Sequence, residues 1–475
     1  MQRLRRKIRR ARLASGVAVV SIVARPYPCP HGRCIYCPGG GETPQSYVDR
    51  SPVVMRGRRL GYDPYLQVTD RLRDFVEAGF TPSKVELIVM GGTFNAQPFS
   101  YQEWFVKRAF DAMNSFFSEP VVSESLLKAH EMNEGAKVRC VALTLETRPD
   151  WAKEDHVDKM LYLGFTRVEV GVQSPFDDVL EKVRRGHTVR DAIEATRILK
   201  DAAYKVGYHL MPGLPGSDLD RDLEALRLVF EDPRFKPDML KIYPTLVIPG
   251  TPLHEMWKRG EYKPLTEEET LEFLMKALQI IPKWVRLQHI QRDIPGEYIA
   301  AGPKRRNLRQ IAEQILWEKG FKIREIRFRE AGRVSHKGLK PNYDSVMLKT
   351  VEYEASGGTE FFLSVVDKND VLMGLLRLRH PSPLAHRWEV DEKTALIREV
   401  HVYGPQLPVG ERPRDEAQHR GYGRWLVREA ERIAREELDI KKVLVISGVG
   451  ARNYFRKLGY RRLKGSFYMV KELAG

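Results

Sequence analysis

Cysteine is scarce in this sequence, with 4 in 475 residues, and three of the four crowd into nine consecutive positions. So few cysteines exclude a disulfide scaffold. Long apolar runs are also missing. None approaches the ~18 residues that a spanning helix needs, and mean hydropathy is −0.42, so no membrane segment is expected. The basic N-terminus leads into no long apolar core with a small-residue cleavage site. No secretory leader is therefore expected, and the expected compartment is the reducing cytoplasm. Acids are in deficit, 63 against 79 Lys and Arg, for a net charge of +16 and a pI near 9.5. That excess points to a polyanionic partner, the alternative being a merely solvated basic surface. Internal repeats and low-complexity stretches are absent.

The sequence is organised around Cys29-Pro-His-Gly-Arg-Cys34-Ile-Tyr-Cys37-Pro-Gly-Gly40, a C-x4-C-x2-C spacing directly after an apolar β-branched run. Thiolates so spaced clamp soft metals. Three ligands rather than four leave one iron of a [4Fe-4S] cluster open, free to chelate S-adenosylmethionine (SAM) and cleave it reductively to a radical. A structural zinc wants four ligands, and His31 is only two residues from Cys29. A disulfide fits poorly with three clustered cysteines. Cys140 precedes an apolar strand and reads as a small core residue.

From residue 16 onward, β-branched runs alternate with helical stretches. The runs are 16–23, 85–90, 141–145, 167–172, 205–210 and 239–242; helix-like segments include 65–79, 150–163, 188–203 and 218–230. Six strand–helix units predict a parallel sheet, and hence a partial (β/α)6 barrel over 16–281 with its site at the C-terminal strand ends. Gly91-Gly92-Thr93 follows the second run, where glycines let backbone approach a ligand; it suits the methionine end of SAM. Glu146 and Arg148 end the third run. Glu169 and Gln173 share one face of the fourth, to grip ribose or the SAM carboxylate, or to form a buried structural network. Lys241 lies inside an apolar strand, which is costly unless it is paired or faces a polar cavity.

The first 15 residues carry Arg3, Arg5, Arg6, Lys7, Arg9, Arg10 and Arg12 with no acid, and read as a flexible basic arm against phosphates, the alternative being a solvated tail. Residues 282–345 read as a dense basic connector, from Arg286 and Arg292 through Lys304, Arg305, Arg306 and Arg309 to Arg324, Arg327, Arg329 and Arg333. The connector is a candidate nucleic-acid surface, or a solvated linker. Over 346–475 the pattern changes. Strand-like runs 361–366, 372–379 and 395–403 lead to Gln418-His-Arg-Gly421-Tyr-Gly423, which opens a helix. Backbone amides at a helix start suit a pyrophosphate. A strand at 441–446, a helix at 451–458 and a strand at 466–470 complete the order of an acetyltransferase-type coenzyme A fold.

In its motifs and their order the chain closely resembles the Elongator protein 3 family, of the prokaryotic stand-alone type. The resemblance covers about residues 14–471. It rests on the cysteine motif, Met90-Gly-Gly-Thr-Phe94, Glu146-Thr-Arg-Pro149, Glu169-Val-Gly-Val-Gln-Ser174, Leu240-Lys-Ile-Tyr-Pro-Thr245, Gln291-Arg-Asp-Ile-Pro295, Glu399-Val-His-Val-Tyr-Gly404 and Gly448-Val-Gly-Ala-Arg-Asn-Tyr454.

The resemblance implies an α/β radical-SAM domain fused to a GNAT-type α+β acetyltransferase domain, acting on the wobble uridine (position 34) of tRNA. Cys29, Cys34 and Cys37 would hold the [4Fe-4S] cluster, and Lys84 would contact acetyl-CoA. Glu399, Val400, His401 and Val402, with Tyr422, Gly423, Arg424 and Trp425, would form the coenzyme pocket, the pyrophosphate lying near Gly421–Gly423. The implied chemistry is hydrogen abstraction from the acetyl methyl, addition of the carbon radical to uridine C5, and thioester hydrolysis to a carboxymethyl group. An external electron donor is implied. Lys241 is a candidate for orienting substrate. Many relatives carry later cysteines that bind zinc; none follows Cys140 here, so no structural zinc is expected. Where acetyltransferases often place a tyrosine near the coenzyme sulfur, this chain has Phe455, with Tyr454 beside it; a phenyl ring cannot donate a proton. The alternative function is a protein lysine acetyltransferase with a structural cluster.

Overall fold

The computed structural model describes residues 16–334, 341–404 and 421–473. The basic arm and Gln418 lie outside them. Seven parallel strands follow one another in chain order through the first sheet: β1 (Ala18–Val23), β2 (Lys84–Met90), β3 (Arg139–Thr147), β4 (Arg167–Gln173), β5 (Lys205–Leu210), β6 (Met239–Ile242) and β7 (Arg286–Ile290). Neighbouring strands are joined mainly by helical crossovers, so the sheet curls into a half-barrel with helices outside. β2 alternates strictly. Val85, Leu87 and Val89 are buried under the helices, while Lys84, Glu86, Ile88 and Met90 face the lumen.

The helices start where side chains satisfy their first amides. Asp63 accepts from the amides of Tyr65 and Leu66, ahead of the helix Pro64–Glu77. Thr188 and Asp191 form a reciprocal capping box for Val189–Asp201, as Thr266 and Glu269 do for Glu267–Ile280.

β7 corrects the sequence reading. The segment expected to begin a connector at residue 282 supplies a seventh strand, paired in parallel with β6. Its Arg286-Leu-Gln-His-Ile290 has no apolar run because Arg286, Gln288 and His289 face the polar lumen. Much of the connector's positive charge is also spent internally. Arg286 pairs with Glu330 at 2.6 Å, Arg309 with Glu313 at 2.6 Å and Glu325 at 2.8 Å, and Arg333 with Glu330 at 3.0 Å. Arg329 donates to the carbonyls of Arg324 and Lys283. Lys304, Arg305, Arg306, Lys322 and Arg324 remain exposed.

The second sheet holds seven strands. β8 (Met347–Ala355) and β9 (Gly358–Val366) form a hairpin, followed by β10 (Leu372–His380), β11 (Thr394–Val402), β12 (Lys442–Val445), β13 (Arg461–Arg462) and β14 (Met469–Glu472), in spatial order β13-β14-β12-β11-β10-β9-β8. β11 and β12 are the parallel pair. They pair only from Thr394 to Ile397, after which β11 continues alone beside β10. The strands part there like the arms of a V.

The two sheets meet across a buried belt of charge. Arg398 donates to both Asp238 oxygens at 2.7 Å and to Glu360 at 2.7 Å, and Arg379 reaches Asp201 at 2.7 Å and Glu360 at 3.0 Å. Arg377 binds Glu399 at 2.8 Å, and Lys205 of β5 lies 3.5 Å from the same carboxylate. Alongside, the turn at Gly448-Val-Gly450 presses on β3. A Cβ at Gly448 would fall 2.0 Å from the Val141 carbonyl oxygen, so only glycine permits the contact.

Candidate active site

One cavity of about 1810 Å³ runs from the cysteine loop, through the barrel lumen, to the parted strands of the second sheet. At the C-terminal strand ends it is lined by Cys29, Cys34, Cys37, Gly92, Thr93 and Gln173. Burial pushes the Cys29 thiol up, against donation from the Thr93 hydroxyl at 3.4 Å. Burial also raises Cys37. His31 Nε2 lies 3.2 Å from Cys34 Sγ, and Arg185 Nη1 donates to the same sulfur at 3.7 Å. Buried polar atoms here lack protein partners: Tyr36 Oη, Arg185 Nε and Gln173 Oε1. A three-thiolate set with unspent polar groups around it fits an inserted inorganic cluster and its ligand.

The strand-end backbone is shaped for close approach. Gly91 and Gly92 have φ of 127° and 56°. Gln173 has φ of 68°, uncommon for a residue with a side chain, after a register irregularity in β4. Gln173 thus combines a strained backbone with an unpartnered amide oxygen at the cavity wall. Glu169, expected to act beside it, does not line the cavity. Its carboxylate is spent on Lys241, on Arg167 at 3.1 Å and on His209 at 3.1 Å.

Lys241 does line the cavity, donating to Glu146 Oε1 at 2.8 Å, while Tyr47 Oη donates to Glu146 Oε2 at 3.2 Å. Burial alone would neutralise the lysine, but Glu146 and Glu169 outweigh it and hold its pKa well above the usual ammonium value. Burial works likewise against Glu169, and Lys241 and Arg167 prevail, holding its carboxyl well below the usual range. The pair is ionised, a fixed cation on paired anions.

At the opposite end stand Lys84, Glu399, Val400, His401, Val402, Gly421, Tyr422, Gly423, Arg424 and Tyr454. Burial and the neighbouring Arg139 lower the Lys84 pKa. For Glu399, burial opposes ionisation, yet Lys205, Arg377 and His401 hold the carboxyl down at about 2. The helix Tyr422–Arg432 opens on Gly421, at φ 84°, with no acid in its first turn, which leaves its positive end to an anion. The structure separates the two aromatic neighbours. Tyr454 is 39% exposed and faces the cavity, while Phe455, at 6%, packs in the core against Tyr460. Phe455 and Trp425 do not line the cavity. Lys84 and Met90 mark opposite ends of β2, about 20 Å apart at strand rise.

Sequence reasoning missed Tyr47, Arg185 and His209, and weighed His31 only as a zinc ligand. Arg185 and His209 had no motif to flag them; only folding brings Arg185 beside the cysteine loop, where the Ile35 amide binds the Val183 carbonyl.

Profiles of known families divide the chain in the same way. The Radical SAM superfamily matches residues 26–229, the Radical_SAM C-terminal domain 237–318 and the Acetyltransferase (GNAT) family 323–460. Fold and site thus define a radical-SAM half-barrel followed by a GNAT acetyltransferase domain, which implies a [4Fe-4S] cluster, SAM and acetyl-CoA. A tRNA uridine(34) acetyltransferase of Methanocaldococcus jannaschii is 51% identical over 470 residues, covering 97% of this chain and 85% of that protein. Another, from Dehalococcoides mccartyi, is 46% identical over 466 residues, covering 98% and 99%. Elongator complex protein 3 of Homo sapiens is 42% identical over 480 residues, covering 98% and 86%. The solved structure of the archaeal Methanocaldococcus infernus Elp3 lacking residues 1–46 superposes with a TM-score of 0.85 at 47% identity, covering 97% of this chain and all of that one. The chain belongs to the family of tRNA uridine(34) acetyltransferases and Elongator complex protein 3.

Proposed function

We propose that this enzyme uses a SAM-derived radical and acetyl-CoA to place a carboxymethyl group on C5 of uridine 34 in tRNA anticodons. The observation that carries this reading is the single cavity joining the cysteine end to the coenzyme end. A radical generator and an acyl donor that open into one space suit one substrate handled by both. Simple acetyl transfer would need only the coenzyme end.

Cys29, Cys34 and Cys37 would hold the cluster, which when bound supplies the electron that cleaves SAM. Gly91, Gly92 and Gln173 would bind SAM at the strand ends, by backbone and amide contacts. Lys241, ionised between Glu146 and Glu169, would orient the base by a fixed polar contact whose geometry the two carboxylates set. At the far end, Val400–Val402 would line the pantetheine arm, and the amides after Gly421 would take the diphosphate. Lys84 would contact the coenzyme from the barrel side. The Tyr454 phenol would protonate the departing thiolate. The exposed Lys304, Arg305, Arg306, Lys322 and Arg324, with the basic arm, would meet tRNA phosphates. A reducing cytoplasm and an external one-electron donor complete the setting.

The test uses anaerobically reconstituted enzyme, bulk tRNA, SAM, dithionite and acetyl-CoA labelled in its methyl carbon, with nucleosides read by mass spectrometry. Label is expected in carboxymethyluridine with wild type and none with Cys34→Ala. Lys241→Ala is expected to cut labelling at least tenfold, and wild-type labelling in that variant would remove Lys241 from the site. Tyr454, a phenol facing the coenzyme end, favours a second reading, acetylation of protein lysine. Thioester cleavage indifferent to tRNA, with no label in the nucleoside, would select it.

A further inference from the structure

Arg286, Arg309, Arg327 and Arg333 lie close together beside β7, and three of them are matched. Arg286 and Arg333 share Glu330, and Arg309 pairs with Glu313 and Glu325. Arg327, on the short helix Ile326–Arg329, has no carboxylate partner among the described residues. The nearby Glu325 carboxylate is spent on Arg309 and on the amides of Leu287, Arg327 and Phe328. Arg327 is half-buried and lines the cavity. Its Nη1 donates to the Gln288 carbonyl of β7, which leaves Nε and Nη2 unspent.

The register of β6 on β7 sets Lys241 beside His289, and both line the cavity. Enclosure in the lumen and the neighbouring Lys241 and Arg327 lower the His289 pKa to about 3, so that ring is neutral. Two cations therefore serve one stretch of lumen wall. Lys241 is matched by Glu146 and Glu169. Arg327 is matched by nothing: burial, Arg309, Arg333 and Arg286 lower its pKa to about 9, which still leaves it charged at neutral pH. A charge held unmatched away from water is costly, and an anion arriving beside it removes that cost.

The proposed reaction makes such an anion. Water adds its oxygen to the acyl carbon, and the C–S bond breaks with its electron pair on sulfur. The sulfur takes up one proton, a second is released, and a neutral thioester becomes a carboxylate on the base that Lys241 orients. We infer that Arg327 holds this carboxylate, with Nε and Nη2 donating to its two oxygens, and so favours the finished carboxymethyl group over its neutral precursor. This rests on the function proposed above. The side-on pair of N–H groups matches two oxygens of one planar anion, and binding gained only as charge develops drives the hydrolytic step. The phosphates of the RNA have exposed cations to meet at the surface, Lys304, Arg305 and Arg306 among them, whereas Arg327 is enclosed with the base site.

The test measures affinity, by fluorescence anisotropy, of the anaerobically reconstituted full-length enzyme for three synthetic anticodon stem-loops. They differ only at position 34, which carries uridine, 5-carboxymethyluridine or the neutral methyl ester of the latter. Wild type is expected to bind the acid about tenfold more tightly than the ester, the scale of one charge-assisted contact. In Arg327→Met the acid and the ester should bind within about twofold of each other, with the uridine stem-loop bound as by wild type. Arg327→Lys, which keeps the charge but not the fork, should retain a preference of about threefold. Wild type without a preference, or Arg327→Met with the full one, overturns the inference. An Arg327→Met that weakens all three stem-loops equally assigns the guanidinium to a phosphate and also overturns it. If Arg327→Met does not fold, Arg327→Gln is read in its place, and failure of Gln and Lys alike to fold shows a structural role and overturns the inference. Wild-type enzyme that leaves no label in carboxymethyluridine in the assay above overturns the proposed function itself, a result distinct from all of these.

Discussion

The two ends of the half-barrel both bury guanidinium groups, but they treat them in opposite ways. At the end where the second sheet docks, Arg377, Arg379 and Arg398 all meet carboxylates, from Glu399, Asp201, Glu360 and Asp238. At the cysteine end, Arg185 and the Gln173 amide oxygen sit among buried atoms without such partners. The docking end is complete as protein alone and acts as a lock. The cysteine end is incomplete as protein alone, with buried polar atoms that no described residue partners.

Breaking the lock should have the largest effect. Arg398→Leu strands Asp238 and Glu360 without their strongest partner, and breaking a buried ion pair in this way costs about 3–5 kcal/mol. The urea midpoint should drop accordingly, with the second sheet separating from the barrel. A change below 1 kcal/mol would show that the belt is dispensable.

Acid should loosen the same belt. The Glu399 carboxyl is depressed from 4.5 to about 2, so its contribution, on the order of 3 kcal/mol, is fully present above the unfolded value. It is lost as pH falls from about 4.5 through 2. Glu399→Gln should therefore flatten the acid limb of stability against pH in that window while leaving the slope above pH 5 unchanged. Parallel curves for the two proteins would show that Glu399 is not a source of the acid sensitivity.

The cysteine end should respond mildly in stability and sharply in binding. Gln173→Ala removes an amide that pays for no internal hydrogen bond through its oxygen, so unfolding should change by less than about 1 kcal/mol. SAM affinity of the reconstituted enzyme should fall about tenfold by equilibrium dialysis. Loss of stability with unaltered affinity would reverse the contrast between the two ends.

How far the sequence revealed this arrangement depended on whether a residue's partners were near it in the chain. The cysteine loop, the Gly91-Gly92 turn and the helix opened by Gly421 are local patterns, readable from spacing and backbone preference. β7 was hidden because its polar residues face the lumen, which reads as a loop in a scale that expects apolar strands. β8 was missed for a similar reason, since its burial alternates with exposed Lys349, Thr350, Glu352 and Glu354. The basic connector misled because its acids, Glu313, Glu325 and Glu330, lie among its cations and only folding shows which pairs form. Glu169 and Gln173 share a strand and a parity, yet the irregularity in β4 and the reach of Lys241 send one into an ion pair and leave the other at the cavity.

The sequence by itself determined the alternation of the first six strands with helices, the two fold classes, the clustering of three cysteines and the glycine turns, because these follow from periodicity, spacing and local backbone freedom. Tertiary structure alone decided that Lys241 is matched and Arg185 is not, that Tyr454 and not Phe455 meets the cavity, and that both ends open into one space. Those outcomes depend on residues far apart in the chain: 95 positions separate Lys241 from Glu146, and 151 separate Arg185 from Cys34. Charge is a property of a residue, but its compensation is a property of the fold.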